Sequence, residues 1–232
     1  MKLQGSYLAD FVSLLFPELC QACGQSLITG EELICIDCRY HLPFTNFHQK
    51  ADNTVAQQFW GKINLEAAYA MCYFTKGGKM QHLLHQLKYK GIQKVGNMLG
   101  SIAGEQLAAN AIFSNADIII PVPLHKSRLK KRGYNQSTCF ATGLSQKLNI
   151  PVVEHNLVRI KATETQTHRS RFLRFENMQE VFALKQPELL INKHILLVDD
   201  VVTTGSTLEA CGAELLKVEG LKLSIATIAC AE

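Results

Sequence analysis

Apolar and polar positions follow two rhythms along this chain. In residues 6–15, Leu8, Phe11, Val12 and Leu15 recur at helical spacing, which predicts a short amphipathic helix ending before Pro17. A cysteine-rich stretch follows, from Leu19 to about Pro43, and then a polar stretch, 46–58, that reads as a linker. From Ala67 the rhythm becomes regular. Strands are predicted at 68–74, 117–122, 157–160, 194–198 and 222–229, and helices at 79–89, 94–109, 134–148 and 206–218. Strands alternating with helices imply an α/β fold with a mostly parallel sheet. The division predicted is a small unit over residues 1–50 and a larger one over 51–232.

Composition narrows the class. A chain of 232 residues, 47% hydrophobic and 19% charged, can bury a sizeable core, and disordered, collagen-like or coiled-coil chains are excluded. No apolar run approaches the ~20 residues that a membrane span needs. The first seventeen residues carry one Lys, an Asp at position 10 and no small-residue cleavage site, so the expectation is a cytoplasmic protein. Structural disulfides are rare there, and the eight cysteines require another explanation.

Four of them supply it. Cys20-x2-Cys23 and Cys35-x2-Cys38 are separated by eleven residues. Two such pairs on two turns can set four thiolates at the corners of a tetrahedron, the geometry zinc prefers. Disulfides and an iron–sulfur cluster are the alternatives, disfavoured by compartment and by spacing. With all four positions filled by Cys, the metal would be structural. Cys72, Cys139, Cys211 and Cys230 lie in apolar elements and read as small buried hydrophobes.

The net charge of +4 is unevenly spread. Residues 114–194 hold 13 basic and 6 acidic side chains, whereas residues 195–232 hold 2 and 6. The first block should attract phosphate or nucleic acid. The second contains the most informative segment, from Ile195 to Thr207. A buried strand ends in Asp199 and Asp200, and a loop of hydroxyls around Gly205 then opens a helix. A helix N-terminus beyond the carboxyl end of a strand is an anion site. Thr203, Thr204, Ser206 and Thr207 add hydroxyl donors. The adjacent acids conflict with a phosphate cradle unless they hold ribose hydroxyls or Mg2+.

These thirteen residues resemble the signature of the type I phosphoribosyltransferases, which bind phosphoribosyl pyrophosphate (PRPP). The resemblance implies that Asp199 and Asp200 hold the ribose 2′- and 3′-hydroxyls. It also implies that the loop Val201, Val202, Thr203, Thr204, Gly205, Ser206 and Thr207 wraps the 5′-phosphate. The pyrophosphate half of such a site fits the segment from Asp117 to Gln136, in which five of the seven residues 126–132 are basic. Arg128 and Arg132 are the expected ordered contacts and Lys130 and Lys131 the looser charges, because Arg binds oxygens in a bidentate fork, and Pro123 at the strand exit is assigned to the same half of the site. The alternative for any charge run is a solvated face. A third segment, with Arg159, Thr163, Gln166, Arg174 and Asn177, resembles the mobile hood of those enzymes, the alternative being an arginine-rich helix surface.

The order of these blocks looks like the ComF family: a four-cysteine ribbon, Pro121-Val-Pro-Leu-His125, Arg132-Gly-Tyr-Asn-Gln136, the hood and the PRPP loop. Leu87-Lys88-Tyr89 and Phe59-Trp60-Gly61 belong to the same resemblance. The implied fold is a type I phosphoribosyltransferase-like α/β domain, with a mostly parallel sheet flanked by helices and a small N-terminal zinc ribbon. The implied role is handling of incoming single-stranded DNA in natural transformation, with PRPP and Mg2+ or nucleic-acid phosphates in the phosphoribosyltransferase site. Competence-machinery proteins could dock on the ribbon. The alternatives are an active phosphoribosyltransferase with an unidentified acceptor and a PRPP-regulated scaffold. An amidophosphoribosyltransferase is not expected, since position 2 is Lys and residues 1–66 are too few for a glutaminase domain. Purine-salvage members often carry a third acid three residues after the second, where this chain has Thr203.

Overall fold

In the computed structural model the described residues are 16–160 and 181–231. The predicted helix over 6–15 and the hood residues Thr163, Gln166, Arg174 and Asn177 lie outside them. Among the described residues the chain runs through α1 (Ile36–Tyr40), α2 (Thr54–Gln57), β1 (Ala67–Phe74), α3 (Lys79–Tyr89), α4 (Gln93–Leu107) and α5 (Ala111–Ser114). It continues through β2 (Ile118–Pro121), α6 (Lys126–Arg132), α7 (Gln136–Leu148), β3 (Leu157–Ile160), β4 (Val181–Leu184), β5 (His194–Val202), α8 (Ser206–Leu215) and β6 (Lys222–Ala231).

The main sheet has the order β1-β6-β5-β2, and every pairing is parallel. A single parallel bridge, Ile119 to Val152, extends its β2 edge. The central strands are the most apolar: Ile195–Val198 of β5 and Leu223–Cys230 of β6 are buried throughout. Parallel strands covered on both faces need such continuous apolar runs. β3 and β4 form a separate antiparallel pair.

Two helices fix the site from behind. Gly96, Gly100 and Gly104 recur every fourth residue on α4, so they share one face. A Cβ at these positions would lie 2.6 Å from Cys139 Cβ, 2.2 Å from Phe140 O and 2.6 Å from Lys147 Cβ of α7. The backbones of α4 and α7 therefore touch, which sets where α7 begins. On α3, Met80, Leu83, Leu84 and Leu87 form the buried stripe, and the helix ends at Lys88-Tyr89.

The structure adds α1, α5 and β4, which the sequence reading lacks, and departs from it in three further places. Residues 46–58 form a 3-10 turn (Phe47–Gln49) and α2 rather than a free linker. Phe47, Asn53 and Val55 are buried there, with Phe59 directly after them, and Asn53 Nδ2 donates to Ala68 O of β1 at 2.8 Å. The polar composition of the stretch conceals this sparse set of anchors. The basic run is helical: α6 starts at an N-cap in which Ser127 N donates to His125 Nδ1, and ends at Gly133 with φ +83°. None of its residues is buried, so no apolar period announces it. Finally, β5 runs to Val202, four residues beyond the predicted end, carrying the acid pair inside the ladder.

Candidate anion site and cysteine cluster

β2 and β5 are neighbours, and their carboxyl ends deliver different chemistry to one crevice. Pro121 pairs with Val198, and Val122 N donates to Val198 O at 2.9 Å. Pro123 therefore leaves the sheet directly beside Asp199 and Asp200. Asp199 Oδ1 accepts from Ser137 Oγ at the start of α7 and from Asp200 N, both at 2.8 Å. Burial, followed by the charge of Asp200, pushes the Asp199 carboxyl up to about 7. Asp200 turns the other way. Its Oδ1 accepts from Lys88 Nζ at 2.9 Å, with both side chains mostly covered.

The following loop makes a small cup of about 40 Å³, lined by Asp199 and residues 201–208. Gly205 sits at φ +76° and precedes the first residue of α8 without a side-chain cap. A Cβ there would also meet the buried Phe59 ring at 3.1 Å. Glycine is thus required twice, by backbone conformation and by the ring beneath. Thr204 Oγ1 and Ser206 Oγ lie 3.1 Å apart at the rim. The cup has the donor set and size for one phosphoryl group.

A larger cavity of about 760 Å³ opens beside it. Pro123, Arg128, Lys131, Arg132, Arg159 and Thr207 line it together with the acid pair. Of the sequence-predicted anion residues, Lys130 is not among the lining. Lys131, expected to be a looser charge, lines the cavity as Arg128 and Arg132 do. The Arg159 guanidinium rests 5.8 Å from the Phe182 ring centroid.

Sequence reasoning missed three contributors, Lys88, Gln136 and Ser137, whereas Tyr89 enters it with Tyr134 and Trp60 as an aromatic face for a nucleic acid. Lys88 and Tyr89 both line the cavity, and Arg132 lies 5.7 Å over the Tyr89 ring. Ser137 orients Asp199. Gln136 lines the cavity at 1% exposure, and its Nε2 has no partner. Their signal was the tripeptide Leu87-Lys88-Tyr89 and the position of Gln136-Ser137 at a predicted helix start. Tyr134 is half-buried and its hydroxyl donates to Leu87 O, whereas Tyr89 and Trp60 are exposed.

The four cysteines meet as predicted. One ligand atom from each of Cys20, Cys23, Cys35 and Cys38 lies within 4.8 Å of the others. Cys35 N points at Cys20 Sγ (3.3 Å) and Cys38 N at Cys35 Sγ (3.4 Å). Burial pushes the Cys20 thiol up, but the N–H groups of Cys35, Cys23 and Ala22 outweigh it and bring the thiol down to about 7. Burial and then the neighbouring thiols raise Cys38. Four thiolates cannot share this volume without a cation, so the donor set fits a soft divalent metal. Cys72, Cys139, Cys211 and Cys230 are buried and free of disulfides. Among the described residues no helix is long and apolar enough to cross a membrane.

Comparison with known proteins agrees with this arrangement. The phosphoribosyl transferase domain family matches residues 135–231. The chain is 30% identical over 220 residues to the DNA utilization protein YhgH of Escherichia coli K12, covering 88% of this chain and 93% of that one. It is 39% identical over 103 residues to Competence protein F of Haemophilus influenzae, covering 44% of this chain and 45% of that one. Among solved structures it is similar to a purine phosphoribosyltransferase from Pyrococcus horikoshii, at 21% identity and a TM-score of 0.38, over 57% of this chain and 74% of that one. With a relative matched along nearly its whole length and a phosphoribosyl transferase domain over the acid-pair loop, the chain belongs to the ComF family of phosphoribosyltransferase-like proteins.

Proposed function

We propose that this chain binds PRPP with Mg2+ in the crevice between β2 and β5, and that it does so in the handling of single-stranded DNA during natural transformation. The observation that carries the first half is the juxtaposition of the phosphate-sized cup at residues 201–208 with the acid pair and the basic cavity. The three subsites have the chemistry of a 5-phosphate, a ribose and a pyrophosphate, in that spatial order. In this reading the Thr203–Thr207 loop holds the 5-phosphate, and Asp199 and Asp200 accept from the ribose hydroxyls. Arg128, Lys131 and Arg132 face the pyrophosphate beside Pro123, with Lys130 adding charge at longer range. Arg159 sits at the cavity wall, and Thr163, Gln166, Arg174 and Asn177 complete a hood. Mg2+, when bound, neutralises the pyrophosphate charge.

The four-cysteine unit, placed within residues 1–50, holds a structural zinc ion and stands apart in function from the phosphoribosyltransferase-like unit, residues 51–232. Its exposed Ile28, Ile36 and Tyr40 support docking of a protein of the competence machinery there.

A thermal-shift titration with PRPP, with and without Mg2+, tests the ribosyl-phosphate site. The expected result is a Mg2+-dependent stabilisation that the Asp199→Asn/Asp200→Asn double variant lacks. No shift in the folded, zinc-loaded protein removes the reading.

A second reading, that the same face tracks a single-stranded nucleic acid, is favoured by the exposed Tyr89 ring beside the basic cavity and by the exposed Trp60. Aromatic faces beside cations suit stacked bases and a phosphate backbone. The names of the relatives, DNA utilization and competence proteins, support it. Affinity for an oligothymidine strand should then fall steeply with salt, and Tyr89→Ala should weaken it about tenfold.

A further inference from the structure

The end of α3 reaches into the acid pair. Lys88 is the penultimate residue of that helix and lies 112 positions from Asp200 in sequence, yet its Nζ donates to Asp200 Oδ1 at 2.9 Å. The placement is not a loose surface contact. Leu87 is fully buried, and its carbonyl accepts from the Tyr134 hydroxyl. Tyr89, on the other side, carries the Arg132 guanidinium on its ring. The residues flanking Lys88 are therefore tied to the basic wall, and the lysine is held between that wall and the acids.

Asp200 thus has its charge met by the Lys88 ammonium. Asp199 is met by two hydrogen-bond donors, Ser137 and the Asp200 amide. The same cavity holds Gln136, whose buried Nε2 has no partner in the protein. A buried amide donor left unpaired costs free energy and points to a ligand oxygen as its complement. The cavity is built for an oxygen-rich guest, while the carboxylate that would meet the guest's hydroxyls or its cation is already engaged by Lys88.

We propose that Lys88 is the resident counter-ion of the acid pair, and that ligand enters the site by exchanging with it. A divalent cation arriving alone must displace an ammonium held at hydrogen-bond distance and leaves that ammonium without an anion to meet it. A cation arriving on a polyphosphate gives the displaced ammonium an anion inside the same cavity. Lys88 thereby makes the site accept a metal–phosphate complex in preference to a free metal. This deepens the ribosyl-phosphate reading and relies on it only for the identity of the guest.

The test uses zinc-loaded full-length protein and Mn2+ as the probe, with free Mn2+ followed by electron paramagnetic resonance. Lys88→Met should bind Mn2+ about tenfold or more tightly than wild type, because a positive charge beside Asp200 is gone. Lys88→Arg, which keeps the charge, should match wild type. Adding Asp200→Asn to Lys88→Met should abolish the gain. Equal Mn2+ affinity in wild type and folded Lys88→Met overturns the proposal. So does a gain that survives Asp200→Asn. If Lys88→Met does not fold, Lys88→Gln is read in the same way. A parallel titration with Mg2+–PRPP separates the two ideas. A PRPP-induced shift with equal Mn2+ affinities retains the ribosyl-phosphate reading and removes the lysine exchange. A Mn2+ gain with no PRPP response in any variant does the reverse.

Discussion

The cysteine cluster and the acid-pair site are built on opposite plans. The cluster draws its four thiols from nineteen consecutive residues, Cys20 to Cys38, and two turns bring them together. The acid-pair site draws on Lys88, Arg128, Gln136, Ser137 and the 199–207 loop, which meet only because β2 and β5 are adjacent and α4 and α7 touch. A locally encoded site is written whole in the sequence, whereas a distributed site is written as one contiguous motif plus scattered residues with no spacing rule. The two are also physically joined. His82 Nδ1–H near the start of α3 donates to Ala22 O in the cysteine unit at 2.9 Å, and the same helix ends at Lys88.

The largest expected effect tests whether the cluster is structural. Cys38 is fully buried within it. Cys38→Ser should lose the metal equivalent read by a chromophoric chelator and should melt the cysteine unit, because structural zinc supplies folding free energy. If the regions differ as described, Mg2+–PRPP should still shift the melting of what remains folded. Loss of that response as well would show that α3 transmits the damage.

Next comes the scaffold of the distributed site. Gly100→Ala places a methyl group 2.2 Å from Phe140 O. The helices must part, at a cost of about 3 kcal/mol or more in urea unfolding. A cysteine cluster that remains metal-loaded in this variant would sharpen the contrast.

Asp199 provides a pH test with a definite sign. Its carboxyl titrates near 7 in the folded chain against an ordinary value of 3.8. The folded state therefore holds the proton more tightly between those values. Stability should fall as pH rises from about 4 to about 7 and change no further above that range on account of this group. Asp199→Asn should flatten that part of the stability profile and be the more stable protein at pH 8, while losing the PRPP response. A wild-type stability that climbs through pH 7 in step with the variant would contradict the assignment.

Smaller effects separate neighbours within the site. Ser137→Ala removes a hydrogen bond to Asp199, a contribution of about 1.5–3 kcal/mol at pH 8, where that carboxylate is charged, and should weaken PRPP binding about tenfold or more there. Arg128→Ala should weaken it more than Lys130→Ala, since only the first lines the cavity. Isothermal titration measures both. Equal losses would mean that the basic helix acts as a diffuse field, not as a set of contacts.

Much of the fold was legible from the pattern of apolar positions. The strands at 68–74 and 157–160 and the helix at 79–89 fall within a residue of their observed limits. For 68–74 and 79–89 the reason is that each packs an apolar run or stripe against one core. The basic helix α6 was not legible, because a helix with no buried face leaves no hydrophobic period. Residues 46–58 were read as a linker because buried Phe47, Asn53 and Val55 are too sparse and irregular to form a period.

The sequence by itself determined the cysteine cluster, the acid pair, the Gly205 loop and the positive block, since each is a short-range constellation whose chemistry depends on neighbours along the chain. Only the tertiary structure decided which donors meet which acids. Lys88 reaches Asp200 and Ser137 reaches Asp199 because strand order and a glycine-only helix contact bring distant segments to one crevice. No spacing along the chain encodes a contact that is created by packing.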